Sequence, residues 1–107
     1  PDTYHMFLAG TGPNALGRLR GDFIAIFQFA DAGKEVEPIL HKGVDSQRVL
    51  PGDGKIDLKG YLTNLKKTGF DGCISLELYN PEYRKREPVA FLEEALRKTV
   101  KVVSSAG

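Results

Sequence analysis

Phe23-Ile-Ala-Ile-Phe-Gln-Phe-Ala30 is apolar on both faces, the pattern of a buried strand in a parallel sheet. Its one conspicuous polar residue, Gln28, stands near the C-terminal end. Cys73-Ile-Ser-Leu-Glu-Leu78 reads as a second buried strand, and it too carries a polar side chain, Glu77, near its end. Side chains alternate along a strand, so Glu77 shares a face with Ser75 and Cys73, while Ile74, Leu76 and Leu78 face the other way. On the first strand Gln28 shares its face with Ile24, Ile26 and Ala30, which leaves Phe23, Phe27 and Phe29 to pack outward.

Helical signals alternate with these strands. Asn14-Ala-Leu-Gly-Arg-Leu-Arg20 suggests a short helix with Asn14 as N-cap, weakened by Gly17, which costs roughly 1 kcal/mol relative to alanine. After the first strand, Asp57 caps a helix whose Leu58, Tyr61, Leu62 and Leu65 fall at i, i+3, i+4 and i+7. Lys59, Lys66 and Lys67 lie off that stripe, and Gly69 supplies the stop. Glu87-Pro88 opens a final helix with proline at its first position, and Phe91, Leu92, Ala95, Leu96 and Val103 are its expected inner face. Strands alternating with helices argue for parallel βαβ units. Two strands and three helices cannot close a barrel or cover both faces of a sheet, so the chain reads as a piece of an α/β domain. The opening Pro1-Asp2, with no Met, adds the expectation that a preceding portion is missing.

Composition narrows the function classes. Fifteen basic against fourteen acidic residues leave a net charge of +1, too small a field for nucleic acid or an anionic membrane. No apolar run approaches the ~20 residues of a membrane span, and no signal peptide is visible. One cysteine, Cys73, excludes an internal disulfide and suits a reducing, cytoplasmic compartment.

In a β/α barrel the chemistry sits at the C-terminal strand ends and in the loops that follow. Gln28 and Glu77 would point inward there. A buried carboxylate needs a cation, a metal or a shifted pKa, so Glu77 is either a metal-binding or catalytic group or the partner of a structural arginine. The stretch from Asp31 to Ile56 is far longer than the usual 2–6 residues of a βα connection, as functional loops often are. It ends in Arg48-Val-Leu-Pro-Gly-Asp-Gly54, whose Pro-Gly-Asp-Gly is an ordinary turn signal and would fix Arg48 near the barrel mouth. His5, three residues after Asp2, carries no meaning alone.

In series these segments carry more. Asp2-Thr-Tyr-His5, Gln28-Phe-Ala-Asp-Ala32, Arg48 to Gly54, Gly69-Phe-Asp-Gly72 and Ser75-Leu-Glu-Leu-Tyr-Asn80 follow one another along nearly the whole chain. In order and spacing they resemble the C-terminal portion of the xylose-isomerase-like (β/α)₈ TIM-barrel superfamily of sugar phosphate isomerases and epimerases. That resemblance implies that residues 1–107 are part of a single barrel domain of ~250 residues. It implies a divalent metal held by Asp2, Gln28 and Glu77, with one further glutamate lying before residue 1. His5 and Arg48 match residues that bind substrate oxygens beside the metal. The oxygen-rich set suits Mn²⁺ or Mg²⁺ better than Zn²⁺.

The implied activity is isomerisation or epimerisation of a small sugar or polyhydroxy keto substrate, with Glu77 as catalytic base for a proton beside the carbonyl. Sugar epimerases of the family usually carry histidine at the Gln28 position. Glutamine, with Glu82-Tyr83-Arg84 after the second strand, leans towards lyases such as 3-dehydroshikimate or inosose dehydratases. The endonuclease branch needs further histidines around the Pro-Gly-Asp-Gly turn, where this chain has Ser46 and Gln47 and His41 stands apart. A rival of another class is a non-catalytic barrel fragment or interaction module. By itself the chain is expected to be inactive, with the rest of the barrel or another chain needed to complete it.

Overall fold

The structure, a computed structural model, describes residues 1–38 and 44–107; His41 lies outside the described residues. In chain order the elements are α1 (Thr3–Leu8), α2 (Pro13–Leu16), a 3₁₀ turn at Gly21–Phe23, β1 (Phe27–Phe29) and β2 (Asp31–Ala32). A 3₁₀ turn at Asp45–Gln47 leads into β3 (Arg48–Val49), then α3 (Leu58–Lys67), β4 (Ile74–Leu76), a 3₁₀ turn at Tyr83–Lys85 and α4 (Pro88–Ser105).

The organising contact is parallel. β1 pairs with β4 in the register Phe27–Ile74, Gln28–Ser75, Phe29–Leu76. On the other side of β1, Asp2 makes a parallel bridge to Gln28, whose amide donates to the Pro1 carbonyl at 2.9 Å. Asp2, β1 and β4 therefore run side by side in one direction, as the sequence suggests. β2 and β3 form a small antiparallel pair, Asp31 opposite Val49 and Ala32 opposite Arg48, inside the long connection.

α3 matches its sequence pattern. Asp57 accepts from the Gly60 amide as N-cap, and Leu58, Tyr61, Leu62 and Leu65 are buried. Thr68 closes the helix, and Gly69 takes a φ of 78° that side chains resist. Together with Phe27 and Phe29 from β1 and Tyr4, Leu8 and Leu16 from the first two helices, these residues make one core.

Three expectations require correction. The N-cap of α2 is Gly12, not Asn14, and Pro13 starts the helix. The apolar run from Phe23 is not one strand: Gly21–Phe23 wind into a 3₁₀ turn, so Phe23 lies exposed under the Arg20 guanidinium while Ile24 turns into the core. Gly21 is what fits there, because a Cβ would run into the backbone of Thr68 to Phe70. The third concerns α4, capped by Glu87 with Pro88 at its start. Ala95 is buried, Phe91 half-buried, and Val103 lines an apolar recess with Leu62, Leu65 and Ile74, but Leu92 and Leu96 are largely exposed. With Val89 and Val100 they form a second apolar stripe at i, i+3, i+7 and i+11, and Leu96 is 65% exposed. Ile26 and Cys73, each immediately before a strand, are exposed as well. No described helix is long and apolar enough to cross a membrane.

Candidate functional site

Asp2 is where the site begins. It N-caps α1, its Oδ1 accepting from the Tyr4 and His5 amides at 2.8 and 3.2 Å. Thr3 fixes that corner to β1: its hydroxyl donates to the Ala30 carbonyl at 2.7 Å and accepts from the Ala30 amide at 3.0 Å. A short helix thus takes over the hydrogen bonds of β1 where the strand ends, and it sets Asp2, a buried carboxylate, beside Gln28.

Arg48 closes the site from the long connection. Its side chain is 1% exposed. Nη2 donates to Asp2 Oδ2 at 3.1 Å and Nη1 to Asp2 Oδ1 at 3.3 Å, the fork-on-fork arrangement that carboxylates bind best. Nε donates to Asp45 Oδ1 at 3.2 Å, and the guanidinium lies over the Tyr4 ring, 4.7 Å from its centre. Burial alone would lower the pKa of Arg48, but the hydrogen bond and charge of Asp2, then those of Asp45, outweigh it and hold the group above its ordinary value. Tyr4 donates its hydroxyl to the Val44 carbonyl at 2.7 Å, and burial pushes its pKa up against the lowering effect of Arg48.

The same guanidinium gathers the remaining residues. His5 Nε2 lies 3.2 Å from Arg48 Nη2; a guanidinium can only donate, so this ring nitrogen is the acceptor. Glu77 Oε2 lies 3.9 Å from Nη2. The other oxygen, Oε1, accepts from the Tyr79 hydroxyl at 3.1 Å, a bond that raises the Tyr79 pKa. The Glu77 amide donates to the Phe29 carbonyl, which continues the β1–β4 ladder one step and places Glu77 beyond the strand end. Asp2, His5, Arg48 and Glu77 are thereby brought together, with Gln28 between Asp2 and β4.

Three supporting residues escape a reading of the sequence. Asp31, 1% exposed, accepts backbone amides from Ala32, Gly52, Gly54 and Ile56 at 2.9 to 3.1 Å. It folds the Pro-Gly-Asp-Gly turn around one carboxylate, and Gly54 is needed because a Cβ would strike the Ala32 carbonyl and Asp31 itself. Asn80 donates to the Arg48 carbonyl at 3.0 Å, and the Tyr83 hydroxyl accepts from the Leu50 amide at 3.0 Å. Each is a polar residue in or beside a turn or short strand, so its long-range partner leaves no local signature.

The donors fit a divalent cation as an incomplete set. Two carboxylates, Asp2 and Glu77, reach within 4 Å of one guanidinium nitrogen, so the site already gathers positive charge, and the Gln28 main chain is bridged to Asp2. Among the described residues no three His, Cys, Asp or Glu side chains are placed together to hold a metal. A closed coordination sphere needs a further donor.

A family model described as a xylose isomerase-like TIM barrel matches residues 1–98. The inosose isomerase of Bacillus subtilis (strain 168) is 37% identical over 103 residues, 96% of this chain and 36% of that relative. The 3-dehydroshikimate dehydratase of Pseudomonas putida is 34% identical over 87 residues, 78% of this chain and 13% of that protein. Among solved structures, the IOLI protein "with a binding zinc atom" superposes with a TM-score of 0.88 at 33% identity, over 99% of this chain and 37% of its own. That zinc runs against the expectation of Mn²⁺ or Mg²⁺ in preference to zinc. A xylose isomerase domain protein from Alicyclobacillus acidocaldarius superposes with a TM-score of 0.81 at 24% identity, which bears on the fold alone. The chain spans about a third of the length of the inosose isomerases it matches, and its strands and helices are the corresponding part of a barrel. This chain belongs to the xylose isomerase-like TIM-barrel family.

Proposed function

We propose that the protein carrying this chain is a divalent-metal-dependent isomerase that moves a proton beside the carbonyl of a polyhydroxy ketone such as an inosose. The supporting observation is the gathering of Asp2, His5 and Glu77 around the buried Arg48 guanidinium at the ends of parallel strands. The inosose isomerase relatives support the substrate class. On this reading residues 1–107 are the C-terminal portion of one cytoplasmic barrel domain, and the rest of the barrel completes the site.

Asp2, Gln28 and Glu77 would hold the metal, which when bound polarises a carbonyl oxygen as a Lewis acid. Glu77 takes the proton: Tyr79 occupies Oε1 and turns Oε2 towards the centre of the site. Arg48 and His5 hold substrate oxygens so that the reacting C–H bond faces Glu77. Arg48 is pre-set for this by Asp2, Asp45 and the Tyr4 ring, so little ordering remains when substrate arrives. A second reading, dehydration, is favoured by Gln28 and by the dehydratase relatives. Glu77 then removes the same kind of proton, and a hydroxyl leaves from the neighbouring carbon.

Calorimetric titration of the full-length protein with Zn²⁺, Mn²⁺ and Mg²⁺, followed by incubation with an inosose and with 3-dehydroshikimate, tests both. Metal binding with isomerised inosose supports the first reading, and loss of water from dehydroshikimate the second. No binding of any of the three metals and no turnover would end both.

A further inference from the structure

We propose that Asn80 is a positioning residue for Arg48, which extends the reading of the site given above and rests on it. The Asn80 carboxamide is used at both ends. Nδ2 donates to the Arg48 carbonyl at 3.0 Å, and Oδ1 accepts from the Glu82 amide at 3.0 Å. The second bond closes a turn inside the loop after β4. The first leaves that loop and crosses to a strand far away in the chain.

The crossing matters because β3 has little to hold it. It comprises two residues, paired with β2 on one edge, and the adjoining turn is anchored by Asp31. On the side facing β4, Asn80 holds the Arg48 carbonyl and Tyr83 the Leu50 amide. Glu77 and Asn80 belong to one short segment leaving β4, its ladder bonds fixed at Glu77 by the Phe29 carbonyl. Glu77 meets the guanidinium of Arg48 while Asn80 holds the main chain of the same residue. The Glu77–Arg48 distance is set by that pair of attachments. Without Asn80 the Arg48 main chain loses its tie to the segment that carries Glu77, and the guanidinium, still paired with Asp2 and Asp45, shifts relative to Glu77.

Two variants separate the roles. Asn80→Ser keeps an uncharged oxygen that can accept the Glu82 amide, and it is too short to reach the Arg48 carbonyl. Asn80→Asp also keeps the acceptor and cannot donate. In the full-length protein both are expected to lower kcat/KM for an inosose by about 100-fold, the scale of an ångström of misplacement. Tm should stay close to that of the unchanged protein, and the Arg48 Nε–H resonance should shift and exchange faster with solvent. A merely local turn predicts the opposite: both variants match the unchanged protein in kcat/KM and in the Arg48 resonance, which would overturn the proposal. Should the unchanged protein not turn over an inosose, the activity reading fails by itself. The Arg48 resonance needs no substrate and still decides whether Asn80 holds it.

Discussion

Asp2 and Glu77 both face Arg48, yet removing their charges should have different consequences. Asp2 is buried and paired twice with a guanidinium that is itself buried, so Asp2→Asn strands a charge and should cost about 3 kcal/mol in chemical denaturation, although asparagine still caps α1. Glu77 keeps a quarter of its side chain exposed and stands 3.9 Å from Arg48, a loose pair that contributes at most ~0.5 kcal/mol. Glu77→Gln should therefore leave Tm nearly unchanged while abolishing turnover and weakening metal binding in calorimetry. A large loss of stability with metal binding intact would make Glu77 a structural counter-ion instead. Glu77 was legible because a carboxylate at the end of an apolar strand is a costly feature that demands a partner, whereas Asp2, His5 and the role of Arg48 were legible only through the family resemblance. Which partner each finds was not legible: Asp2 lies 46 residues from Arg48, and only the fold brings them together.

At the scale of the elements, α3 could be read residue by residue because cap, stripe and stop all lie within its own sequence. α4 could not, since apolar residues stand on two of its sides and only a neighbour decides which is covered. The connection between β1 and α3 reads as a loop, but Asp31 makes it a built turn, and Gly54→Ala tests this. The new methyl has backbone on one side and the Asp31 carboxylate on the other, so the change should cost about 3 kcal/mol in thermal or urea unfolding. α4 also carries an acid-sensitive contact. Arg86, then Lys98, hold the Glu94 carboxyl at about 2, below its ordinary 4.5, and Lys98 joins Asp53 in the turn. A carboxyl lowered on folding stabilises above its unfolded pKa, and that contribution fades as pH falls from about 4.5 towards 2. Melting curves across that window should show a decline that Glu94→Gln makes shallower; an identical slope in the variant would deny Glu94 any part in it.

The whole molecule has one finished side and one open side. Helices α1 to α3 cover one face of β1, while the stripe Val89, Leu92, Leu96 and Val100 is largely exposed on the described chain. That pattern suits part of a barrel whose remaining strands and helices pack there. The 107 residues by themselves should associate through this stripe in sedimentation experiments, and Leu92→Lys with Leu96→Lys should return them to monomers with unchanged circular dichroism. In the full-length protein the same pair should cost several kcal/mol, on the order of ~2–5 for each buried leucine lost. A monomeric unchanged chain, or a full-length double variant of normal stability, would mean that the stripe faces solvent throughout. The pairing of β1 with β4 also governs how the chain reaches this arrangement. Phe27 meets Ile74 across nearly half the chain, so much of it must be gathered before any ladder bond forms. α3, capped and stopped within its own sequence, is suited to form early, whereas the Arg48–Asp2 contact waits for remote segments to meet. In refolding experiments the charges that define the site should therefore come together after α3 has formed.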